Sequence, residues 1–545
     1  MKARSGLLLV LLAFTLVWFG TLDYRRLTKP DEGRYAEIPR EMAASGDWLT
    51  PRLNGIKYFE KPPLQYWATA AAYTAFGENE WTARLWTGLT GFLGVLLAWF
   101  AGRRLFGPEA GLLAATTLAS SLLYLGMGHF SALDMGLAFF LEVAFCGFLL
   151  AQQSATKQDS RRWMLLAWAG LALAVLSKGI VAPVLTGATL VLYSLLTRDF
   201  SPWRRFEFVR GLALFLLIAA PWFVAVSLAN PEFAHFFFIH EHFERFLTKA
   251  HRRYQPGWYF IPVLLVGALP WTTLALQSLA QAWYRRTETN FQPRRFLLLW
   301  CVVVFGFFSA SSSKLPSYIL PLFPAMALLL GDALTRVGRK PLLGHVGIVA
   351  AIALICLVLA PRVALRADAE TPIEMIGPYA DWLTASAALW LLGCLAAIAL
   401  AWKNRSTAAV LALAASSIVA GMGALLGHEN LSRSNSAYHI AMKVKPLLSV
   451  GVPLYSVEMY DQTLNFYIER TVTLVAHQDE MAFGIRQEPG KWIASTEEFK
   501  RRWQADVDAF AIMTPDKHEV LHQEGLPMTE VARDTRRVII RRPSS

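Results

Sequence analysis

One feature constrains the fold of this 545-residue chain more than any other: its long apolar segments, which are separated by short basic loops. A helix that crosses a bilayer needs about 20 mostly apolar residues. Only 17% of the residues are charged, against about a quarter in soluble domains. The sequence therefore predicts a mainly α-helical, polytopic membrane protein with about thirteen transmembrane helices. The predicted spans have the approximate bounds 6–22, 82–102, 109–127, 135–153, 163–177, 180–197, 209–229, 258–280, 296–312, 317–334, 343–361, 382–402 and 406–427.

The loops between these spans carry a charge pattern that predicts orientation. Every second loop is basic, as at Arg103 with Arg104 and at Arg161 with Arg162, and such loops face the cytoplasm. The N-terminus is therefore predicted inside and, with an odd number of spans, the C-terminus outside. The first outer loop is also rich in lysine and arginine although it lies on the opposite side, and a local exception of this kind often marks function.

The composition changes near the end of the last span. Residues 1–430 are predicted to form the transmembrane domain, with outer loops at 23–81 and 230–257, and 431–545 a small outer α/β domain. The predicted strands are 452–457, 471–475, 509–513 and 537–540, and the predicted helices are 495–505 and 516–524. This region has no glycine-rich nucleotide-binding pattern, so no nucleotide cofactor is expected.

The net charge of +12 does not indicate nucleic-acid binding, because the lysines and arginines fall mostly in short clusters between apolar spans. Membrane lipids are the expected surroundings instead.

The first outer loop combines residue types that suit chemistry on a phosphorylated substrate. Asp31 or Glu32 could act as a general base. Arg34, Lys57 and Lys61 could bind phosphate. A solvated interfacial loop anchored by tyrosine and tryptophan explains the same residues without any function.

Three further clusters lie at predicted outer helix ends. Asp134 begins the fourth span, where it could act in catalysis or simply cap the helix. Lys178 in the turn 177–179, and Lys314 with Tyr318 near the kinked start of the tenth span, could contact phosphate. Lysines that extend to the membrane surface are the alternative.

The segment 236–246 places His240 and His242 among acidic residues, followed by Arg245. With Glu60 as a third ligand, the two histidines could bind a divalent metal such as zinc. An amphipathic interfacial helix, or a basic site for an anionic lipid headgroup, remains open as an alternative.

All these clusters fall on one side of the membrane under the predicted topology. Their convergence indicates one outward-facing site for a phosphorylated lipid. The sequences Asp31-Glu32-x-Arg34-Tyr35, 59–64, Ser131-x-x-Asp134, 177–179 and Lys314-Leu-Pro-x-Tyr318 together resemble the glycosyltransferase C superfamily. They are most similar to its bacterial aminoarabinose transferases, which modify lipid A and are related to protein O-mannosyltransferases. The resemblance covers roughly residues 1–430.

The resemblance implies an inverting glycosyltransferase in the bacterial inner membrane, with its active site facing the periplasm. A monomer is expected. Undecaprenyl phosphate would donate 4-amino-4-deoxy-L-arabinose to a lipid A phosphate, which gives polymyxin resistance. The implied roles are catalysis by Asp31 and Asp134, substrate or phosphate binding by Arg34, Tyr35, Tyr58, Lys61, Lys178, Arg245, Lys314 and Tyr318, and metal binding by Glu60, His240 and His242.

Two other functions remain open. A protein O-mannosyltransferase that uses polyprenyl-phosphate mannose would need a base for its hydroxyl acceptor, which the Asp31–Glu32 pair could supply. A transporter of lipid-linked sugars should place ionisable residues near the bilayer midplane, where Glu142 is the main candidate.

Overall fold

A computed structural model describes residues 2–244, 255–284 and 291–543, excluding the side chains of residues 2–10 and 240–244. Helices overlap each of the thirteen predicted spans. Within the described ranges, seven helices are long and apolar enough to cross a membrane, or eight if one bent pair is counted. The chain is thus a mainly α-helical, multi-pass membrane protein. The helices of this part are Lys2–Gly20, Glu80–Phe106, Pro108–Ser120, Leu122–Met127, Leu133–Gln153, Lys157–Lys178, Val181–Thr197, Phe208–Ala229, Phe260–Gly267, Thr272–Ala282, Pro293–Ala310, Leu322–Leu334, Arg339–Leu359, Ile373–Trp402 and Ser406–Gly427.

The span predicted at 258–280 is not a single helix. The chain bends by 115° between its two halves, Gly257–Gly267 and Thr272–Ala282. Pro270 lies in the break, and proline lacks the N–H that a continuous helix needs. Trp271 is buried beside it and donates from Nε1 to Ser120 Oγ at 2.9 Å. The break therefore fixes the bent pair against the helix that ends at Ser120.

Small residues bring the central helices close together. A Cβ on Gly331 would lie 2.5 Å from the Ala110 carbonyl oxygen, and one on Gly147 would lie 2.8 Å from the Trp163 carbonyl oxygen. Such contacts are typical of helix packing in membranes. Of the 21 residues of helix Leu133–Gln153, 17 are buried. Its first turn, which contains Asp134, is therefore held firmly at the outer end of the bundle.

The first outer loop folds into a layer on top of this bundle. It contains helix Asp31–Ser45, a short hairpin and helix Leu64–Phe76. Gly33 packs so closely on the C-terminal region that a Cβ would lie 2.6 Å from the Gln462 carbonyl carbon. The loop and the C-terminal region share one buried hydrophobic core, so they form a single outer layer.

The C-terminal region is an α/β unit around a six-stranded sheet in the order β5-β4-β3-β6-β8-β7. Strands β5, β4, β3 and β6 are parallel, whereas β8 and β7 are antiparallel. All four predicted strands are present, and β5 and β7 are additional. The strands are β1 Arg52–Leu53 and β2 Ile56–Lys57 in the hairpin, and β3 Leu454–Val457, β4 Thr473–Val475, β5 Trp492–Ile493, β6 Phe510–Met513, β7 Thr529–Arg533 and β8 Val538–Arg541 in the sheet.

Short helices connect these strands. Thr496–Ala505 and Pro515–Gln523 agree with the two predicted helices. The sequence does not predict Tyr438–Val444, Gln462–Ile468 and Ala482–Gln487. In parallel α/β sheets, the loops at the carboxyl ends of strands commonly form binding sites. The loop that follows β4 begins at Ala476 and extends toward the first outer loop.

Candidate active site

A cavity of about 1040 Å³ lies where the helix bundle, the first outer loop and the C-terminal unit meet. Each of the three parts contributes to its wall. Eight residues predicted from the sequence as site residues line it. They are Asp31, Arg34, Tyr35, Glu60, Lys61, Asp134, Lys178 and Tyr318. The fold thus brings together residues that are up to 287 positions apart in the chain.

Asp134 and Lys178 form an ion pair on the side of the cavity nearest the helix bundle. Ser317 Oγ donates to the other carboxylate oxygen, Asp134 Oδ2, at 3.0 Å. Lys178 Nζ also lies 4.3 Å from the centre of the Tyr318 ring, within the range of a cation–π contact. Asp134 makes no side-chain cap on its own helix. Contacts with Lys178 and Ser317 hold its carboxylate instead, so Asp134 does not act as a helix cap.

Arg34 is shared between two carboxylates on the side formed by the outer layer. Its Nη1 lies 2.8 Å from Asp31 Oδ1, and its Nη2 contacts Glu480. Gln462 Nε2 also donates to Glu480 Oε1 at 2.9 Å. Burial raises the pKa of the Glu480 carboxyl, which Arg34 offsets only in part. The arrangement places a second carboxyl group at the cavity wall, supplied by a part of the chain that sequence reasoning did not assign to the site.

Glu32 also lies on the wall, but its carboxylate faces a buried arginine. Arg84 donates to it from Nε at 2.7 Å and from Nη2 at 3.0 Å. The backbone N–H of Ser131 donates as well, at 3.1 Å. Burial opposes ionisation, but Arg84 and Arg25 outweigh it and lower the pKa of Glu32 to about 2. A carboxylate paired in this way with Arg84 does not suit the general-base role that the sequence suggested for Glu32, because so weak a base accepts few protons near neutral pH.

Lys61 and Glu60 follow one another on the wall, and Lys61 Nζ donates to the Glu60 carbonyl oxygen at 2.7 Å. Lys57, which the sequence also suggested for phosphate, is not a lining residue. It pairs instead with Glu232 at 2.7 Å. Their positions along the chain differ, because Lys57 ends strand β2 whereas Lys61 lies beyond it, in a bend at Glu60 and Lys61.

Two other predicted binding residues lie behind the wall. Tyr58 is only 2% exposed and adjoins Arg34. Lys314 is 4% exposed and donates to the carbonyl oxygens of Gln255, at 2.9 Å, and Ser311. Ser311 follows the last residue of helix Pro293–Ala310, so Lys314 satisfies carbonyl groups at a helix end. These contacts differ from the phosphate contact predicted for Lys314.

Arg245 and the side chains of His240 and His242 lie outside the described residues. The zinc site built on Glu60 and the two histidines therefore stays a prediction. Where side chains are described, no three His, Cys, Asp or Glu residues are grouped as metal ligands. Glu60 does share the cavity wall with Phe236, four positions before His240, and Glu-His-His is a donor set that suits zinc.

The loop after β4 is the part of the site that sequence reasoning missed. His477, Asp479, Glu480, Phe483 and Arg486 all line the cavity. The Phe483 ring stacks on Phe236 of the other outer segment, with centroids 3.8 Å apart. No local motif marks this loop, since its partners lie hundreds of residues away. The only signal was its position after a strand of a predicted α/β unit.

Comparison with known proteins agrees with this architecture. Residues 4–237 match the model of the dolichyl-phosphate-mannose-protein mannosyltransferase family, and residues 440–542 match that of the aminoarabinose transferase C-terminal domain. The undecaprenyl phosphate-alpha-4-amino-4-deoxy-L-arabinose arabinosyl transferase of Erwinia tasmaniensis is 35% identical over 418 residues, 74% of each chain. The protein of the same name from Pseudomonas aeruginosa is 35% identical over 406 residues, 72% of each chain.

A solved structure extends this likeness to the whole chain. The crystal structure of ArnT from Cupriavidus metallidurans bound to undecaprenyl phosphate has a TM-score of 0.95 and 37% identity. The match covers 100% of this chain and 99% of that one. The resemblance found in the motifs is therefore confirmed over both the helix bundle and the C-terminal unit, and the chain belongs to the aminoarabinose transferase family of membrane glycosyltransferases, related to the protein O-mannosyltransferases.

Proposed function

We propose that this protein transfers 4-amino-4-deoxy-L-arabinose from undecaprenyl phosphate to a phosphate group of lipid A, with inversion at the anomeric carbon. The observation that carries the proposal is the cavity itself. It joins the outer ends of membrane helices to a polar outer layer, and it presents both cations and carboxylates. The names of the relatives support the sugar and the lipid carrier. We place the protein in the bacterial inner membrane with this cavity open to the periplasm.

The acceptor phosphate is already anionic, so its attack on the anomeric carbon needs little help from a base. A C–O bond to the acceptor forms, and the C–O bond to undecaprenyl phosphate breaks. Positive charge develops on the sugar ring as the leaving group departs, and fixed carboxylates stabilise such charge. Asp31 and Asp134 are the carboxylates that we assign to this role. Lys61 and Lys178 hold the departing phosphate, together with Arg245.

The Asp134–Lys178 pair gives these assignments a physical basis. Asp134 is held by Lys178 and Ser317 from different helices, so its orientation is set before substrate binds. A preorganised group loses little free energy to reorientation during the reaction. Lys178 can bind an incoming phosphate with its remaining N–H groups, since an ammonium group has three donors.

Lys178→Gln is expected to raise the KM for the undecaprenyl-phosphate donor roughly 10- to 100-fold, because a charge-assisted hydrogen bond to phosphate contributes about 1.5–3 kcal/mol. The measurement is initial rates against donor concentration with purified protein. Lys57→Gln is the matched control, since Lys57 comes from the same outer side but pairs with Glu232 away from the cavity wall. Equal effects of the two substitutions would contradict the assignment of Lys178.

One alternative function has a specific observation in its favour. The match of residues 4–237 to the mannosyltransferase family would also fit transfer of mannose to a protein hydroxyl group. The C-terminal match to the aminoarabinose transferase domain favours lipid A as the acceptor. Transport of a lipid-linked sugar would be supported by ionisable residues near the bilayer midplane. The carboxylates and cations that line the cavity belong instead to the outer end of the bundle and to the outer layer.

The deciding experiment is mass spectrometry of lipid A from bacteria with and without the gene, together with their polymyxin sensitivity. An aminopentose added to lipid A only when the protein is present is the expected result. Unchanged lipid A, with mannose instead found on secreted proteins, would replace this proposal by the mannosyltransferase alternative.

Zinc binding and a monomeric state are also proposals. Purified protein is expected to contain about one zinc per chain by elemental analysis, and Glu60→Gln to lower that content, because it removes one of three protein ligands. An unchanged zinc content in the variant would contradict Glu60 as a ligand. Light scattering in detergent would measure the oligomeric state, with a monomer as the expected result.

A further inference from the structure

Lys29 lines the cavity in addition to Lys61 and Lys178, and it lies in the segment before helix Asp31–Ser45. The other two lysines have polar partners, which are the Glu60 carbonyl oxygen for Lys61 and Asp134 for Lys178. Within the described ranges, the ammonium group of Lys29 makes no hydrogen bond or ion pair. Its three N–H donors are therefore available to a ligand in the cavity.

The carboxylates that attract Lys29 are already paired with arginines. They are Asp461, which accepts from Arg537 Nε at 2.7 Å, and Glu370, which lies 2.9 Å from Arg536 Nη1. Burial lowers the pKa of Lys29 to about 8, and the two arginines add to this effect, against the attraction of Asp461 and Glu370. An anionic ligand would supply the counter-charge that this lysine lacks and would favour its charged form.

Inversion at the anomeric carbon requires two phosphate positions. The acceptor oxygen attacks from the side opposite to the departing phosphate, so the two phosphates lie on opposite faces of the sugar ring. Lys178 belongs to the helix bundle, whereas the backbone N–H of Lys29 donates to the Asn435 carbonyl oxygen of the C-terminal region at 2.9 Å. This bond fixes Lys29 in the outer layer, so the cavity has cations on separate wall segments for the two phosphates.

We propose that Lys29 binds the acceptor phosphate of lipid A and holds it for attack on the anomeric carbon. The inference rests on the proposed function, which has this acceptor. The ammonium group donates to phosphate oxygens other than the one that attacks, so the acceptor is held while its attacking oxygen stays free. That oxygen becomes the bridge of the new phosphodiester. No bond to Lys29 forms or breaks, and Lys29 stays protonated throughout.

Initial rates with purified protein in detergent distinguish the two phosphates. Lipid A is varied at saturating donor, and the undecaprenyl-phosphate donor is then varied at saturating lipid A. Lys29→Gln is expected to raise the KM for lipid A about 10- to 100-fold and that for the donor less than about threefold, since only the acceptor loses a charge-assisted hydrogen bond. Lys178→Gln is expected to show the reverse pattern.

The pH dependence of the KM for lipid A is a second readout, which a purely structural role would not produce. In the wild-type protein this KM is expected to rise between about pH 7 and about pH 9, because Lys29 loses its charge as the pH passes its pKa of about 8. Lys29→Arg is expected to bind lipid A equally well at both pH values, since a guanidinium group stays charged.

Lys443→Gln is the matched control. Lys443 is an exposed lysine of the same outer layer, in helix Tyr438–Val444, and it does not line the cavity. The substitution is expected to leave both KM values unchanged at either pH.

The outcomes that contradict the inference are distinct from failure of the proposed function. A higher KM for the donor alone in Lys29→Gln would place Lys29 at the departing phosphate, and equal changes or no change for the two substrates would show no acceptor role. If Lys29→Gln does not fold, identical pH profiles for wild type and Lys29→Arg would overturn the inference. Absence of transfer by wild-type protein would instead overturn the proposed function.

Discussion

Asp31→Asn is expected to lower the rate of sugar transfer about 100- to 1000-fold, the range observed when one preorganised stabilising group is removed. Asp31 lies in the first turn of helix Asp31–Ser45 and lines the cavity, and its side chain is 38% exposed, against 7% for Arg34 and 10% for Glu480. Asparagine keeps the size of the side chain but removes the negative charge that Asp31 presents to the cavity. The loss is expected mainly in kcat, because the charge matters most when the anomeric carbon becomes positive.

The fold should tolerate this change. Arg34 keeps Glu480 as a partner when Asp31 is neutral, and a pair as exposed as Asp31 contributes about 1 kcal/mol or less. Single-turnover rates and thermal unfolding in detergent are the paired measurements. Asp23→Asn is the matched control, an exposed aspartate of the same outer loop that does not line the cavity. Full transfer activity in Asp31→Asn would show that the site assignment is wrong.

Glu32→Gln is expected to have the largest effect on stability, about 3–5 kcal/mol, which is typical of leaving a buried charge unpaired. Glu32 is 1% exposed and Arg84 is fully buried, and the loss of the carboxylate leaves Arg84 and Arg25 without their anion. The same carboxylate accepts from Thr28 and Ser131. The variant should therefore unfold at a clearly lower temperature and lose the junction between the outer loop and the bundle.

The pH dependence of this effect has a definite sign. The pKa of Glu32 is lowered to about 2 in the folded protein, against about 4.3 in an unfolded chain. Its stabilisation is therefore fully present above about pH 5 and is lost as the pH falls toward 2. The stability difference between wild type and Glu32→Gln should shrink on acidification over that range. Glu374→Gln, at an exposed glutamate, is the control and should differ little from wild type at any pH. A pH-independent difference would contradict the role of the charge.

Sequence patterns were sufficient for the architecture. Apolar length predicts the helices because the bilayer leaves no other way to satisfy the backbone, and each predicted span has a helical counterpart. The strands at 454–457, 473–475, 510–513 and 538–541 coincide with short, mostly apolar runs that alternate with predicted helices. Family motifs in the first outer loop, at Asp134 and at Lys178 also indicated residues that the fold does gather around one cavity.

The tertiary structure decided what each charge does. Asp31 and Glu32 are neighbours of the same type in the sequence, yet one faces the cavity and the other is neutralised by Arg84, which lies 52 positions away. Lys61 lines the cavity, while Lys57 pairs with Glu232 and Lys314 binds backbone carbonyls. Glu480 joins the site from the far end of the chain. The apolar pattern is a local property that each segment carries by itself, whereas the role of a charged group depends on its burial and its partners, which exist only once distant segments have packed together.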